Sequence, residues 1–153
     1  TTFAPGSATS RAMIVTILWR LAGEPVVNYA MSFEDVAADT WYTEAIRWAA
    51  SEGIVNGYSD TAFGPNDNIT REQLARLLYV YAEDIGMDVG GRADLTTFKD
   101  NSKVSDWAYD TLSWAVDQEL ISGMTADTLV PRGNATRAQT ARIFMAFDKL
   151  NKK

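Results

Sequence analysis

Neither cysteine nor histidine occurs anywhere in the 153-residue sequence. The absence of cysteine excludes disulfides, thiolate metal sites and a cysteine nucleophile, and the absence of histidine removes the commonest metal ligand and the commonest general base. Basic residues are also few, since 14 lysines and arginines accompany 20 acidic residues and leave a formal net charge of −6. No basic stripe is available to meet a phosphate backbone, so we expect no nucleic-acid partner.

Apolar runs of membrane length and phosphate-cradling glycine loops are missing as well. We therefore expect no insertion into a membrane, and neither a metal nor an organic cofactor. Asp60, Asn66, Asp67 and Asn68 suggest a calcium loop, but their spacing lacks the alternation and final glutamate of an EF-hand and favours turns and caps. A glycosidase needs a carboxylate pair across a cleft, which 20 acidic residues would supply by chance, so an enzyme is not indicated.

What the sequence does contain is a repeat. The segment Trp41–Arg71 aligns without a gap on Trp107–Arg137 at an offset of 66, and a third copy shows only its second half, at an offset of 60, through Phe3, Pro5 and Arg11. The sequence therefore opens in mid-repeat, with copies predicted at 1–25, 31–86 and 96–150. Because one copy cannot bury its apolar face alone, we expect a single domain over 1–153 in which neighbouring copies share a core and ligand clefts lie between them.

Two helices are predicted in each full copy, which makes the fold all-α. The first should begin at Trp41 or Trp107, with N-caps among Asp39, Thr40, Ser105 and Asp106, and in the second copy it should end at Gly53. Its second tryptophan, Trp48 or Trp114, has core spacing.

The second helix of each copy has clear start signals. Thr70 with Gln73, and Thr136 with Gln139, predict capping boxes, whereas Ser10 with Met13 lacks the reciprocal half. Its apolar stripe should face the core, at Leu74, Leu77, Leu78 and Tyr81 in one copy and at Ile14, Ile17, Leu18 and Leu21 in another.

Several motifs together closely resemble the S-layer homology domain: Phe33-x-Asp35-Val36, Trp41-x-x-x-Ala45-Ile46, Gly53-Ile54-Val55-Asn56-Gly57-Tyr58-x-Asp60, Phe63-x-Pro65 and Ile69-Thr70-Arg71. The resemblance implies three tandem repeats in a pseudo-threefold, three-lobed helical prism, with the first repeat only half present. It further implies an exported, non-catalytic module at the bacterial cell surface. The module would anchor its protein by binding secondary cell-wall polysaccharide, an acidic and often pyruvylated glycan, through inter-repeat grooves.

The sequence departs from the family at two places. The usual Thr-Arg-Ala-Glu at the second helix keeps its arginine in all three copies and its glutamate in none, and the Gly-Tyr-x-Asp turn of the second copy becomes Gly123-Met124-Thr125-Ala126 in the third. We therefore expect the groove of the second copy to bind best. The alternative function is a structural self-assembly domain of a surface layer, which associates with itself and binds no glycan.

Candidate ligand-binding residues follow from physics and from the resemblance. Arg11, Arg71 and Arg137 each occupy the first position of a helix, where unpaired N–H groups and the helix dipole favour an anion and a guanidinium can grip a carboxylate twice. The alternative is a salt bridge to Asp35 or Asp100. We expect Arg71 to be exposed and to make the strongest single ligand contact.

The remaining candidates are less specific. Trp41 and Trp107 could stack on a sugar or pack in the core, in equal measure. Gly57 and Gly123 should supply positive φ angles, and they could let a ligand approach the main chain. The full set is Arg11, Arg71, Arg137, Trp41, Trp107, Asp35, Asp100, Gly57, Gly123 and Tyr58.

Overall fold

The computed structural model describes residues 6–152, and its regular structure is helical over that range, which confirms the predicted all-α class. The α-helices are α1 Arg11–Leu21, α2 Thr43–Ser51, α3 Arg71–Asp84, α4 Tyr109–Asp117 and α5 Arg137–Asn151. Three 3-10 helices, Leu95–Thr97, Asn101–Lys103 and Asp106–Ala108, precede α4, and isolated antiparallel bridges join Ala8 to Thr136, Ser10 to Asn68 and Thr70 to Asn134.

The chain divides into two compact units. The first, called here the Arg11 unit, is Thr9–Ile69; the second, the Arg71 unit, is Thr70–Lys153 together with Thr1–Ala8. The pseudo-threefold prism, the single domain over 1–153 and the repeat bounds 1–25, 31–86 and 96–150 stay predictions, and Phe3 and Pro5 lie outside the described residues. No helix between residues 6 and 152 is both long and apolar enough to cross a membrane.

Each unit joins the second helix of one copy to the first half of the next. In the Arg11 unit α1 packs on α2, and in the Arg71 unit α3 packs on α4. Fully or almost fully buried side chains include Ile14, Leu18, Ile46, Trp48, Phe63 and Ile69 in the former, and Leu74, Leu78, Leu112, Trp114, Leu129 and Phe147 in the latter. Neighbouring copies therefore share a core. The predicted stripe is wrong at Leu21, which is exposed at the last position of α1.

The starts of the second helices match their sequence signals. Thr70 and Thr136 each accept the N–H three residues on, and the glutamine at that position returns a bond to the cap, which completes both capping boxes. Ser10 accepts from Met13 alone. Local side-chain chemistry therefore decides where α1, α3 and α5 begin.

The predicted starts of the first helices are wrong. Helix α2 begins after Tyr42 because the Thr43 hydroxyl accepts the Thr40 N–H and donates to the carbonyl of Ala37, which turns the chain before the helix. In the third copy a separate 3-10 helix, Asp106–Ala108, occupies this place and α4 follows it. The predicted stop is confirmed, since Gly53 follows α2 with a φ of 72°.

Candidate functional site

Arg11 connects α1 to the loop of the following copy. Its backbone N–H donates to the carbonyl of Asp67 at 2.9 Å, which satisfies one of the free donors at the helix start. Its side chain is buried, with Nε donating to the carbonyl of Phe63 at 3.0 Å and Nη2 to that of Asn56 at 3.3 Å. The guanidinium therefore ties the loop to the helix through main-chain oxygens.

Aromatic rings cover the Arg11 guanidinium. Its Cζ lies 4.7 Å from the ring centroids of both Tyr58 and Phe63, within cation–π range. Burial lowers the pKa of Arg11, while Tyr58, Asp67 and Asp35 oppose that shift. Burial raises the pKa of Tyr58, and its hydrogen bond with Asp67 adds to the rise although Arg11 opposes it. Tyr58 thus belongs to the Arg11 site.

Asp35 holds the same loop by its two carboxylate oxygens. They accept the N–H of Phe63 at 2.9 Å and that of Gly64 at 2.8 Å. Burial raises the pKa of Asp35, but these two hydrogen bonds and the nearby Arg11 charge outweigh burial and leave the pKa below its ordinary value. Asp35 is placed as a loop clamp, and the alternative of a salt bridge to an arginine is wrong for it.

Arg71 repeats this arrangement with the loop of the third copy. Its N–H donates to the carbonyl of Gly133 at 2.9 Å, Nε donates to Leu129 at 2.9 Å, and Nη2 donates to Ser122 at 2.5 Å. The expectation that Arg71 is exposed is wrong: only 4% of the residue is accessible, because these carbonyls draw the side chain inward. The Gly57-Tyr58 turn, because of which we expect the groove of the second copy to bind best, faces Arg11 of the first copy.

A cleft of about 420 Å³ opens beside Arg71. It is lined by Glu119, by the loop from Leu120 to Met124, and by Gln139, Arg142, Ile143 and Ala146 of α5. Gln139 contacts the sulfur of Met124 at 3.1 Å. The loop positions of Tyr58 and Phe63 are Met124 and Leu129 here, so the loop offers no ring to cover the guanidinium.

Asp100 clamps this loop as Asp35 clamps the other, with oxygens accepting the N–H groups of Leu129 and Val130 at 2.8 Å each. Burial raises the pKa of Asp100, but both hydrogen bonds outweigh burial and lower it. Burial lowers the pKa of the Arg71 guanidinium, the charge of Arg142 lowers it further, and Asp100 opposes both. Within the described residues neither Arg71 nor Arg11 forms an ion pair with an aspartate.

The positive φ angles expected at Gly57 and Gly123 are wrong, since the positive-φ glycines are Gly23, Gly53, Gly64 and Gly86. A Cβ on Gly57 would lie 2.5 Å from the Ala62 oxygen and 2.5 Å from the Phe33 ring. A Cβ on Gly123 would meet the Thr125 oxygen and would lie 2.9 Å from the Phe98 ring. Glycine is required at both positions because the loop folds back on itself without space for a side chain.

Of the four repeat tryptophans, two are buried and two are exposed. Trp48 and Trp114 are core residues, as predicted, at 4% and 0% exposure. Trp41 and Trp107 are 58% and 52% exposed, so the core alternative is wrong for them. They lie two positions before α2 and α4, with Trp107 inside the 3-10 helix. Each leaves much of an indole ring free to stack on a ligand.

Arg137 differs from the two other helix-start arginines. Its N–H donates to the carbonyl of Ser7 at 2.9 Å, but its buried Nε has no hydrogen-bond partner among residues 6–152.

Sequence reasoning missed Arg142, which lines the cleft. The signal was present, because arginine recurs at Arg76 and Arg142, five residues after the helix start in both full copies.

No group of three or more acidic residues that could hold a metal ion is found in the described part of the chain. Two of the residues considered above for calcium have other contacts. Asp67 lies beside Arg11 and Tyr58, and the Asp60 carbonyl accepts a hydrogen bond from the Ser32 hydroxyl. The chemistry of the site is therefore that of arginines, aromatic rings and main-chain groups.

Comparison with known proteins finds the S-layer homology domain at residues 32–75 and 97–141. The chain is 32% identical over 143 residues to an amylopullulanase of Thermoanaerobacterium thermosulfurigenes, with 94% of this chain and 8% of that protein covered. It is 35% identical to a surface-layer 125 kDa protein of Lysinibacillus sphaericus, covering 93% and 12%. It is 26% identical to a cellulosome-anchoring protein of Acetivibrio thermocellus, covering 92% and 32%. The chain spans less than a third of each relative.

Proposed function

Because the chain belongs to the S-layer homology domain family, we propose that it is a non-catalytic module that anchors its parent protein to the bacterial cell wall by binding an acidic wall polysaccharide. One relative is an anchoring protein and another is a surface-layer protein by name, and the cell surface is accordingly the location of this chain. The relatives that are enzymes are far longer than the matched segment, so their catalysis belongs elsewhere in those proteins.

The observation that carries this proposal is the cleft beside Arg71. A protein of net charge −6 places Arg71 and Arg142 on one concave surface, which concentrates positive potential where the overall charge is negative. A carboxylated sugar would meet guanidinium N–H groups and the loop at Gly123, which lines the cleft. The volume of the cleft, about 420 Å³, is in the range of small-ligand pockets.

The other sequence-derived candidates keep proposed roles. Exposed Trp107 and Trp41 would stack on sugar rings beside the acidic substituent. Arg11 and Tyr58 would form a second site in which the rings already cover the cation, and Arg137 a third. Asp35 and Asp100 would act on the ligand only indirectly, through the loops that they hold.

Binding to purified wall polysaccharide tests the proposal. Calorimetric titration with the intact polymer, and with the polymer after removal of its pyruvyl groups, should show binding that weakens at least tenfold after the acid groups are lost. Neutral dextran is the control. Equal binding to all three polymers would refute an acid-specific site. Concentration-dependent association without any polysaccharide binding would instead favour a self-assembly domain.

A further inference from the structure

We propose that Arg142 is the residue that contacts the acidic group of the ligand at the Arg71 cleft, whereas Arg71 positions the loop that forms the cleft. This inference rests on the proposed function and assigns the parts of one site. It separates two arginines that share the cleft by what each guanidinium already does in the structure.

The guanidinium of Arg71 is already hydrogen-bonded within the protein. Two of its nitrogens donate to the carbonyls of Leu129 and Ser122, of which Ser122 belongs to the loop that lines the cleft, and the residue is buried. Arg11 shows the same pair of bonds, to Phe63 and Asn56, although rings cover it. Because the bonds recur where the cation is covered, they serve the loop whether or not a ligand can enter.

Arg142 is in the opposite situation. It is exposed on α5, it lines the cleft, and its side chain makes no hydrogen bond or ion pair with any residue in the range 6–152. Its five N–H donors are therefore free, and its planar fork matches a carboxylate. Two like charges share one cleft, and an anion between them would relieve their repulsion.

Glu119 is the acidic residue among those that line the cleft. It is exposed and forms no ion pair with Arg142 or any other described residue. With two positive groups and one negative group, the cleft keeps a net positive charge. The ligand class that fits is a sugar carrying one carboxylate, with Glu119 weakening the attraction.

Arg142→Gln in the full chain is the decisive variant. The probe is the purified wall polysaccharide, either with its carboxylates intact or after methyl esterification, titrated by calorimetry at one salt concentration. We expect Arg142→Gln to bind the intact polymer about tenfold more weakly, and Glu119→Gln to bind it severalfold more tightly. Arg132→Gln is the matched control, because it removes an exposed arginine of the same unit outside the cleft and should bind normally.

The melting temperature of Arg142→Gln should be unchanged, since the side chain makes no bond to lose. Normal binding by Arg142→Gln, with the wild type preferring the intact polymer, would overturn this inference and leave the proposed function standing. Failure of the wild type to bind, or equal binding of intact and esterified polymer, would overturn both.

Discussion

The Arg11 and Arg71 units have the same arrangement of bonds around differently covered arginines. In each, an aspartate clamps two loop N–H groups, a glycine lets the loop fold back, and the arginine of a helix start holds two loop carbonyls. In the Arg11 unit two rings then cover the guanidinium, whereas the Arg71 unit leaves a cleft.

The comparison separates what forms the loop from what it presents to a ligand. The clamp, the glycine and the arginine recur because each satisfies or accommodates main-chain atoms. The covering position varies between Tyr58 and Met124, whose side chains form no hydrogen bond with a main-chain group of residues 6–152. A sequence that keeps the aspartate, the glycine and the arginine but changes the covering residue therefore keeps its loop and changes its binding surface.

The largest effect is expected from removing the buried arginines. Arg71→Met keeps the apolar stem but leaves the carbonyls of Leu129 and Ser122 without their donors, which should lower the free energy of unfolding by about 3 kcal/mol. Arg11→Met should cost about 1 kcal/mol more because it also loses its ring contacts. Urea denaturation of each variant measures both values.

Arg132→Met is the control for that pair, since Arg132 is exposed and makes no hydrogen bond with a described residue. Its stability should stay within about 0.5 kcal/mol of the wild type. If Arg71→Met were as stable as this control, the two units would not share a structural arginine and Arg71 would have to be reassigned to the ligand.

The loop glycines give the next effect. Gly57→Ala puts a Cβ against two backbone oxygens and the Phe33 ring, and we expect a loss of about 2–3 kcal/mol. Gly123→Ala meets one oxygen closely and has slightly more space toward the Phe98 ring and the Thr128 oxygen, so its loss should be smaller. Gly90→Ala, whose Cβ would approach only the flexible Asp88 side chain, is the control in urea denaturation. Equal stability of Gly57→Ala and Gly90→Ala would contradict the steric explanation.

These contrasts mark the limit of sequence reasoning for this chain. The repeat was predictable because its copies align directly in the sequence, and the all-α class and the capping boxes because they depend on residues three or four positions apart, such as Thr70 and Gln73. The pairing of Arg71 with the loop at Ser122 was not predictable from the register, because it joins one copy to the next over 51 positions. The role of Gly57 was missed for the same reason, since Phe33 crowds it from a distant segment.

The aspartate clamps should contribute a smaller, pH-dependent stability. The pKa values of Asp35 and Asp100 are lower in the folded chain than their ordinary values, so both carboxylates stabilise the fold fully above about pH 4. That contribution is lost as the pH falls from there toward the folded-state pKa. Asp35→Asn keeps one acceptor and should cost about 1 kcal/mol at pH 7.

Urea midpoints at pH 7 and pH 3 check this prediction. The wild type should lose more stability on acidification than Asp35→Asn or Asp100→Asn, because each variant lacks one of the groups that titrate. Asp60→Asn is the control, since no described residue donates to its carboxylate, and it should follow the wild type. If Asp35→Asn and Asp100→Asn both lost as much stability as the wild type between pH 7 and pH 3, the hydrogen-bonded carboxylates would not account for the loss of stability in acid.

The smallest effect should come from exchanging the covers. A Cβ at Gly64 would lie 3.0 Å from Cζ of Tyr58, so the ring over Arg11 requires glycine there, and the equivalent residue in the Arg71 unit is Val130 at a φ of 50°. Met124→Tyr alone should therefore be poorly accommodated, whereas Met124→Tyr with Val130→Gly should place a ring over Arg71 and relieve an unfavourable backbone angle.

We expect a favourable coupling between the two substitutions of about 0.5–1 kcal/mol in a double-mutant cycle measured by urea denaturation. The double variant should also bind acidic polysaccharide more weakly, because the ring would fill the cleft. Additive stabilities together with undiminished binding would mean that the residue at position 124 does not determine whether the cleft is open.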